Sequence, residues 1–345
     1  MIMSSSTLTG SGFERGLQYG AQWRGDLRGY KPYLPYASYW RSHELHKTEI
    51  KNRHLNALEK AFPDIAGEIH GMAKAAEVSE ERLLDLILLD GFSWGFNENY
   101  TPDNEAMCTN LSITGNCAQP ILTQTIDSPC GALEFVHQIY PADGYKHMYI
   151  GRLGSVFATC GCNEKGLAMG CVSILSDKND LDGILCGTLV KACLQYCTNV
   201  SEAVDLFAQY HIMVGCYTVN CADAAGGNAV IEKSSEDQAV RNGDGSYMYN
   251  TKLVTKFMYE KYAANQTDVW EKRGYDRLDT FKRLMESEAA PYSTETAIRV
   301  ISDHSAKGPI WDWSTRLGAI ILPVEKKMMI YLGPPDITTC EEVFL

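Results

Sequence analysis

The sequence predicts an α+β fold in which two β-sheets lie between layers of helices. Three observations lead to this prediction. Helical periodicity dominates residues 13–89, short β-prone runs dominate residues 107–174 and 216–250, and further helical stretches lie between these runs and before a last hairpin over residues 317–332. The chain has 345 residues, 45% of them apolar, which is enough to bury a sizeable core.

The N-terminal part is predicted to be helical. Ile65, Ile69, Met72 and Ala76 recur at the spacing of one helix face, directly after Pro63, and residues 83–89 form an apolar run typical of a buried helix. Residues 91–106 are rich in Asn, Asp, Gly and Pro, so we expect a loop there. No catalytic constellation is visible in this part, and we interpret it as scaffold.

A hairpin follows, and it carries the main candidate for catalysis. Residues 110–114 alternate polar and apolar side chains, Gly115 and Asn116 favour a turn, and residues 121–126 are β-branched enough for a returning strand. Such a hairpin brings Asp127 back beside Cys108. We therefore interpret Cys108 as a nucleophile, although most free cysteines are small buried apolar residues.

The rest of the chain alternates strands and helices. We expect an antiparallel meander over residues 147–174, a helix over 181–197 followed by one capped by Ser201, and a hairpin of 216–222 with 228–233. A strand ending at Asn250, a helix around Tyr275 to Leu284 and the hairpin of 317–323 with 327–332 complete the pattern.

Charge and composition exclude some functions. The net charge is −12 and the basic residues are dispersed, which argues against nucleic acid or an anionic membrane as the main partner. The first ten residues lack the basic and apolar stretches of a signal peptide, and no apolar run reaches the length of a membrane span. We therefore expect a cytoplasmic protein whose twelve cysteines are reduced and bind no metal.

Several motifs, in their order and spacing, resemble those of the isopenicillin N acyltransferase family of N-terminal-nucleophile hydrolases. They are Cys108-Thr109, Gln124-x-x-Asp127, Asn163-Glu164-Lys165-Gly166-Leu167, Ala222-Asp223-x-x-Gly226 before Glu232, Asn250, Asp303-His304 and Thr315-Arg316. Pro63-Asp64-Ile65 in the N-terminal helical part also matches the family. The resemblance covers nearly the whole chain. Choloylglycine hydrolases and penicillin V acylases are more distantly similar, because they have arginine at the position of Gln124.

This resemblance implies a four-layer αββα sandwich formed from a precursor that cleaves itself between Met107 and Cys108. It implies a leader of residues 1–107 that stays associated with a catalytic part of residues 108–345, and no cofactor or metal. Met107 replaces the usual glycine before the nucleophile, and Thr125 replaces an asparagine of the motif. The added side chain at Met107 restricts the backbone, so we expect cleavage to be slower than with glycine or absent.

The resemblance also assigns roles to single residues. Cys108 is the nucleophile, Asp127 orients the new N-terminus, and Asn250 donates an N–H to the oxyanion of the tetrahedral intermediate. Arg316 is expected to point into the site and pair with Asp127 or a substrate carboxylate. Residues with weaker assignments to the oxyanion or the substrate are Ser173, Gln124 and Thr315.

The chemistry of a terminal cysteine agrees with this assignment. A cysteine thiol is only slightly ionised near neutral pH, whereas a free α-amino group has an ordinary pKa of about 7.7–8.0 and can accept the thiol proton. One residue would thus supply nucleophile and base for an amidohydrolase or acyltransferase acting on a small-molecule amide or acyl donor. Self-association into a homo-oligomer is compatible with the sequence.

Two other interpretations remain open at this point. The chain could be an uncleaved, inactive relative that serves as a binding or scaffold protein. It could also be a Cys-His protease using His137, His147, His211 or His304, although no local pattern favours any of the four. Asn250, His304 and Asp127 each have a purely structural explanation as well, as strand-ending, capping or turn residues.

Overall fold

The computed structural model describes residues 4–30, 47–95, 108–127, 134–174, 176, 178–243, 246–262, 268–305 and 307–345. Met107, and with it one side of the predicted cleavage position, lies outside these residues, as does most of the predicted loop of residues 91–106.

The described residues form ten helices and fourteen strands. The helices are α1 (Gly12–Gln22), α2 (Arg24–Gly29), α3 (Lys47–Ala61), α4 (Pro63–Ala76), α5 (Glu80–Gly95), α6 (Cys186–Tyr196), α7 (Val200–Gln209), α8 (Lys256–Tyr262), α9 (Asp268–Ser287) and α10 (Thr294–Ile301). The strands are β1 (Ser5–Gly10), β2 (Thr109–Ile113), β3 (Ile121–Asp127), β4 (Glu134–Pro141), β5 (His147–Arg152), β6 (Cys160–Asn163), β7 (Leu167–Ile174), β8 (Cys216–Asp223), β9 (Asn228–Lys233), β10 (Gln238–Asn242), β11 (Tyr247–Asn250), β12 (Thr315–Leu322), β13 (Lys327–Tyr331) and β14 (Glu341–Phe344).

Two sheets form the centre of the molecule. The larger has eight strands in the order β1-β4-β5-β6-β7-β8-β9-β10, and the smaller has six in the order β11-β2-β3-β12-β13-β14. Strands β2 and β3 face β7 and β8 across the gap between the sheets. Helices α6 and α7 pack on the larger sheet, and α9 and α10 pack on the smaller. The predicted αββα sandwich is therefore confirmed.

The helices before residue 96 join the outer layer of the larger sheet. Leu83 and Ile87 of α5 and Ile69 of α4 belong to one apolar core with Leu189 of α6 and Met169 of β7. In the described part of the chain, no helix is both long and apolar enough to cross a bilayer.

A buried ion network also ties α1 and α4 to α6. The Arg15 guanidinium donates to Glu68 Oε1 at 2.9 Å and 2.7 Å, and Lys191 Nζ of α6 bonds the other oxygen of Glu68. Asp64 Oδ2 accepts a hydrogen bond from Gln195 Nε2 at 2.8 Å. Since Arg15 and Lys191 are fully buried, this network is shielded from water and from screening salt.

The structure corrects two element predictions and contains strands that the sequence analysis did not assign. Residues 5–10 form β1, which pairs in parallel with β4, although the sequence analysis assigned no strand there. The helix expected from residue 181 begins at Cys186, because Ile184 exchanges backbone hydrogen bonds with His211 and Met213 instead. The cap of α7 is Asn199, which accepts from the Glu202 N–H, rather than Ser201.

Candidate active site

The predicted hairpin is strands β2 and β3, and it brings Cys108 and Asp127 together. Thr109 pairs with Thr125 in the register, so Cys108 lies level with the end of β3. The Cys108 thiol donates to the Asp127 carbonyl oxygen at 3.9 Å. Thr125 bonds the Thr109 hydroxyl at 2.7 Å and accepts from the Thr109 N–H at 3.2 Å. Thr125, which replaces the asparagine of the family motif, thus holds the start of β2 in place.

The Asp127 carboxylate is held from two directions. Thr315 Oγ1 donates to Asp127 Oδ1 at 2.7 Å, and Arg277 of α9 donates to Oδ2 at 2.9 Å. Arg277 also donates to Asp312 at 2.7 Å, and Arg273 bonds Asp312 as well. Burial opposes the charge of Arg277, yet Asp127 and Asp312 raise the pKa of Arg277 above its ordinary value. The carboxylate is therefore fixed in a dry, charge-balanced cluster.

The Cys108 thiol is almost completely buried, with 9% of the residue exposed. Burial, and next the Asp127 carboxylate, raise the pKa of Cys108 well above its ordinary value. Thr251 Oγ1 donates to the Cys108 carbonyl oxygen at 3.2 Å. In this state the sulfur is a thiol, so a nearby base is required before it can act as a nucleophile.

A cavity opens beside the thiol, at one end of the gap between the sheets. The smaller sheet contributes Cys108, Ile126 and Asp127, and the larger sheet and its loops contribute the remaining walls: Arg152, Phe157, Thr159, Cys171, Ser173 and Tyr217. Most of the facing wall is aromatic or apolar, with one guanidinium and a few hydroxyls. This composition is typical of ligand-binding sites, in which a mostly apolar surface carries a few polar groups that fix the orientation of the ligand.

Asn250 and Gln124 lie in a buried polar layer between the sheets. Asn250 Nδ2 donates to Asn110 Oδ1 at 3.2 Å and contacts the Thr218 hydroxyl. Asn110 in turn donates to Gln124 Oε1 at 2.8 Å. Thr251, which bonds the Cys108 carbonyl, follows Asn250 directly, and this connection places the end of β11 next to Cys108.

The structure places the remaining predicted site residues as follows. Ser173 lies on the cavity wall facing Cys108. Thr315 contacts Asp127 instead of lining the cavity. Arg316 is exposed, at a register shift in β12, while the buried arginine against Asp127 is Arg277. The predicted role of Arg316 in binding substrate stays a prediction.

The four histidines of the Cys-His alternative have other partners. His147 Nδ1 contacts the Tyr145 carbonyl at 2.8 Å, His211 contacts Asp180 at 2.8 Å, and His304 contacts the Trp311 carbonyl at 3.1 Å. His137 stacks on Tyr149, with ring centroids 4.7 Å apart. Within the residues described, no group of three or more His, Cys, Asp or Glu side chains is arranged to hold a metal ion.

Sequence reasoning missed Arg277, Thr251 and Arg152. Arg277 lies among many charged residues of α9, and nothing in its local pattern separates it from the exposed ones. Thr251 had one usable signal, its position directly after Asn250. Arg152 is the last residue of β5, and its sequence position does not distinguish it from other charged residues at strand ends.

Several solved structures are similar to the chain. Penicillin V acylase from Agrobacterium tumefaciens is 17% identical with a TM-score of 0.46, over 68% of this chain and 84% of that one. The Caenorhabditis elegans N-acylethanolamine-hydrolyzing acid amidase ortholog is 11% identical with a TM-score of 0.47, over 69% of this chain and 100% of that one. A variant of conjugated bile acid hydrolase from Clostridium perfringens is 11% identical with a TM-score of 0.44, over 69% and 92%. No curated protein matches the chain significantly.

One family model decides the assignment. The model described as acyl-coenzyme A:6-aminopenicillanic acid acyl-transferase matches residues 113–335, which is more than half of the chain. The match begins after Cys108, so it supports the family without testing the nucleophile. It confirms the resemblance that the sequence motifs indicated: the chain belongs to the acyl-coenzyme A:6-aminopenicillanic acid acyl-transferase family.

Proposed function

We propose that the protein is an N-terminal-nucleophile enzyme that cleaves an amide or a thioester through Cys108 and transfers the acyl group to water or an amine. The observation that carries this proposal is the meeting of Cys108 and Asp127 on the wall of one cavity, with Asp127 fixed by Arg277 and Thr315. Family membership supports acyl transfer as the reaction class.

Activation is the first step of the proposed mechanism. The Cys108 sulfur attacks the carbonyl carbon of Met107, and the thiol proton passes to the peptide nitrogen as the C–N bond breaks. Water then hydrolyses the resulting thioester, which leaves a carboxylate on Met107 and a free α-amine on Cys108. Thr251 supports this step because its hydroxyl holds the Cys108 carbonyl and so limits rotation of the residue.

Burial makes the Cys108 thiol harder to ionise, and the new α-amine supplies the base that removes its proton. It lies on the same residue as the sulfur and takes the thiol proton as the sulfur attacks the substrate carbonyl. In this proposal the Asp127 carboxylate, whose charge acts on the Cys108 thiol, orients the amine. The proton then goes to the leaving amine, and a thioester acyl-enzyme remains, which water or a second amine resolves.

The oxyanion of the tetrahedral intermediate needs donors on the cavity side of Cys108. Ser173 on the facing wall is one proposed contributor. The Asn250 side chain, which lies in the polar layer between the sheets, is the other. Asn250 Nδ2 already has the acceptors Asn110 and Thr218, so it must release one of them to donate to the oxyanion. Gln124 acts indirectly in this proposal, since it accepts from Asn110.

The leader of residues 1–107 stays bound after cleavage in this proposal. The buried contacts of Glu68 with Lys191 and of Asp64 with Gln195 cross from the leader to the catalytic part. The helices of the leader also share one apolar core with α6 and β7, so dissociation would expose that apolar surface to water. The two chains would therefore copurify.

The decisive experiment is mass spectrometry of the purified full-length protein, with Cys108→Ala and Cys171→Ala as a matched pair of cavity cysteines. We expect two fragments, the larger beginning Cys-Thr-Asn, in the wild type and in Cys171→Ala, and one uncut chain in Cys108→Ala. Turnover of a panel of acyl 4-nitroanilides should require Cys108.

Two results would contradict the proposal. An uncut wild-type chain that still hydrolyses amides would exclude an N-terminal nucleophile. An uncut chain without any thiol-dependent turnover would favour the binding or scaffold protein.

A further inference from the structure

The polar layer between the sheets contains a chain of hydrogen bonds in which every amide points the same way. Arg241 Nη2 donates to Asn250 Oδ1 at 3.4 Å, and Asn250 Nδ2 donates to Asn110 Oδ1 at 3.2 Å. Asn110 Nδ2 donates to Gln124 Oε1 at 2.8 Å, and Gln124 Nε2 donates to the Thr125 carbonyl oxygen at 2.9 Å. The chain therefore starts on β10 of the larger sheet and crosses β11, β2 and β3 of the smaller sheet.

The two ends of this chain fix its direction. A guanidinium can only donate hydrogen bonds, and a backbone carbonyl can only accept them. If the amides were reversed, the Asn250 NH₂ group would face the Arg241 guanidinium, and the Gln124 side-chain oxygen would face the Thr125 carbonyl. Asn250, Asn110 and Gln124 are fully buried, so water does not replace the hydrogen bonds that reversal would break.

A buried carboxylate holds Arg241 in place. Glu232 of β9 is fully buried, and its Oε1 accepts from Arg241 Nε at 2.8 Å. The same carboxylate accepts from the backbone N–H of Val254 at 3.1 Å and of Thr255 at 3.0 Å, directly before α8. Glu232 thus binds both the guanidinium and the segment that continues from Asn250, which sets the separation of the two. It belongs to the sequence motifs, and the mechanism above gives it no part.

We propose that Arg241 is a positioning residue of the active site, which orients the Asn250 amide so that its N–H groups face the gap between the sheets. This rests on the proposed function for the part that Asn250 takes in binding the oxyanion, and it adds the group that orients Asn250. A donor to Oδ1 also polarises the amide, which makes Nδ2 a stronger donor to a developing negative charge. The benefit arises in the transition state, so it should change kcat more than KM.

The first experiment compares Arg241→Met, which removes the donor, with Lys327→Met. Lys327 bonds Glu342 in an interstrand ion pair of the smaller sheet and serves as the matched control. Turnover is measured with an acyl 4-nitroanilide that the wild type hydrolyses, and kcat is referred to the cleaved protein counted by mass spectrometry. We expect kcat to fall about tenfold or more in Arg241→Met, with KM nearly unchanged, because an oxyanion donor is misdirected. Lys327→Met should keep the wild-type kcat.

Two further variants separate orientation of the amide from simple charge balance. Arg241→Lys keeps a cation against Glu232, but an ammonium cannot place two donors as the planar guanidinium does. We expect Arg241→Lys to restore the urea midpoint of unfolding and not kcat, whereas a purely structural ion pair would restore both. In an Asn250→Ala background, Arg241→Met should lower kcat no further, because the amide that it orients is gone. A full additional loss of kcat would contradict the inference.

A spectroscopic measurement makes the inference independent of turnover. In the full-length Cys108→Ala protein labelled with ¹⁵N-asparagine, the Asn250 Nδ2 protons should show a nuclear Overhauser contact to the Thr218 side chain, which they contact in the structure. This contact should weaken in Arg241→Met, because the amide can then turn, and persist in Lys327→Met. A contact that persists in Arg241→Met would overturn the inference even if amides are cleaved. A weakened contact, with a wild-type enzyme that shows no thiol-dependent turnover, would instead overturn the proposed function.

Discussion

Asp127 gains its position from side chains far away in the chain. Thr315 and Arg277 hold its two oxygens, and Arg277 is fully buried together with it. Arg277 also donates to the Pro309 carbonyl at 2.9 Å, so it links α9 to the loop before β12. At the residue scale, the site depends on this one guanidinium as much as on the cysteine.

Replacing Arg277 should therefore destabilise the whole protein. Arg277→Met leaves the buried Asp127 and Asp312 carboxylates short of one positive charge, and we expect a loss of about 3–5 kcal/mol in the free energy of unfolding. Urea denaturation measures this loss.

Arg283→Met is the matched control on the same helix. Arg283 is largely exposed and contacts Asp303 at 3.6 Å, so its removal should cost about 0–1 kcal/mol. Equal costs for the two variants would show that burial of the Asp127 cluster contributes nothing to stability.

At the scale of elements, helices α1 and α4 cross unusually closely, because glycines lie at the contact. A Cβ on Gly71 would lie 2.2 Å from the Phe13 carbonyl oxygen, and a Cβ on Gly16 would lie 2.2 Å from the Glu68 carbonyl oxygen. This close approach brings Arg15 onto Glu68, and Glu68 onto Lys191 of α6. The backbone contact between α1 and α4 thus positions the charged side chains that reach α6.

Gly71→Ala should separate the two helices and cost about 1–3 kcal/mol of stability, since the added methyl meets backbone atoms that cannot rotate away. Thermal unfolding of the full-length protein measures this effect.

The control for this variant is Gly25→Ala in α2, where an added Cβ meets nothing within 4 Å. That substitution should stabilise the protein by up to about 1 kcal/mol, because alanine favours the helix. A Gly71→Ala protein as stable as the wild type would contradict the described packing.

At the scale of the whole molecule, buried histidines set the response to acid. Burial lowers the pKa of His137 and His147 to about 3 and that of His54 to about 4. Below pH 6.5 the unfolded chain binds protons that the folded chain does not, so stability falls as the pH falls from about 6.5 towards 3. Glu134 acts in the opposite direction, because its raised pKa favours the folded state as the pH falls below 8.

A single variant isolates one of these contributions. His137 packs against the Tyr149, Tyr19 and Phe135 rings, so His137→Phe fits the same apolar surroundings. We expect the loss of unfolding free energy between pH 7 and pH 5 to shrink by about 2 kcal/mol in this variant.

His211→Phe is the matched surface substitution, because the His211 side chain is 58% exposed, and it tests whether the effect of His137→Phe comes from removing a buried imidazole. Chemical denaturation at both pH values measures the difference. An unchanged slope in His137→Phe would show that this imidazole takes up its proton in the folded state as well.

Local sequence patterns determined most of the architecture. Alternation over residues 110–114 and the β-branched run of residues 121–126 predicted the hairpin, and the pairing of its two strands places Asp127 beside Cys108. Helical spacing over residues 65–76 likewise predicted α4. The motifs, read in order, were sufficient to identify the family that residues 113–335 match.

The tertiary structure alone decided which distant side chains meet these residues. Arg277 and Asp127 are 150 residues apart, Thr251 and Cys108 are 143 apart, and Arg152 reaches the cavity only because the sheets face each other. The periodicity of a segment indicates which of its faces is apolar, but it does not indicate which other element covers that face. Contacts between distant segments depend on the packing of all layers at once, so their partners are fixed only when the chain has folded.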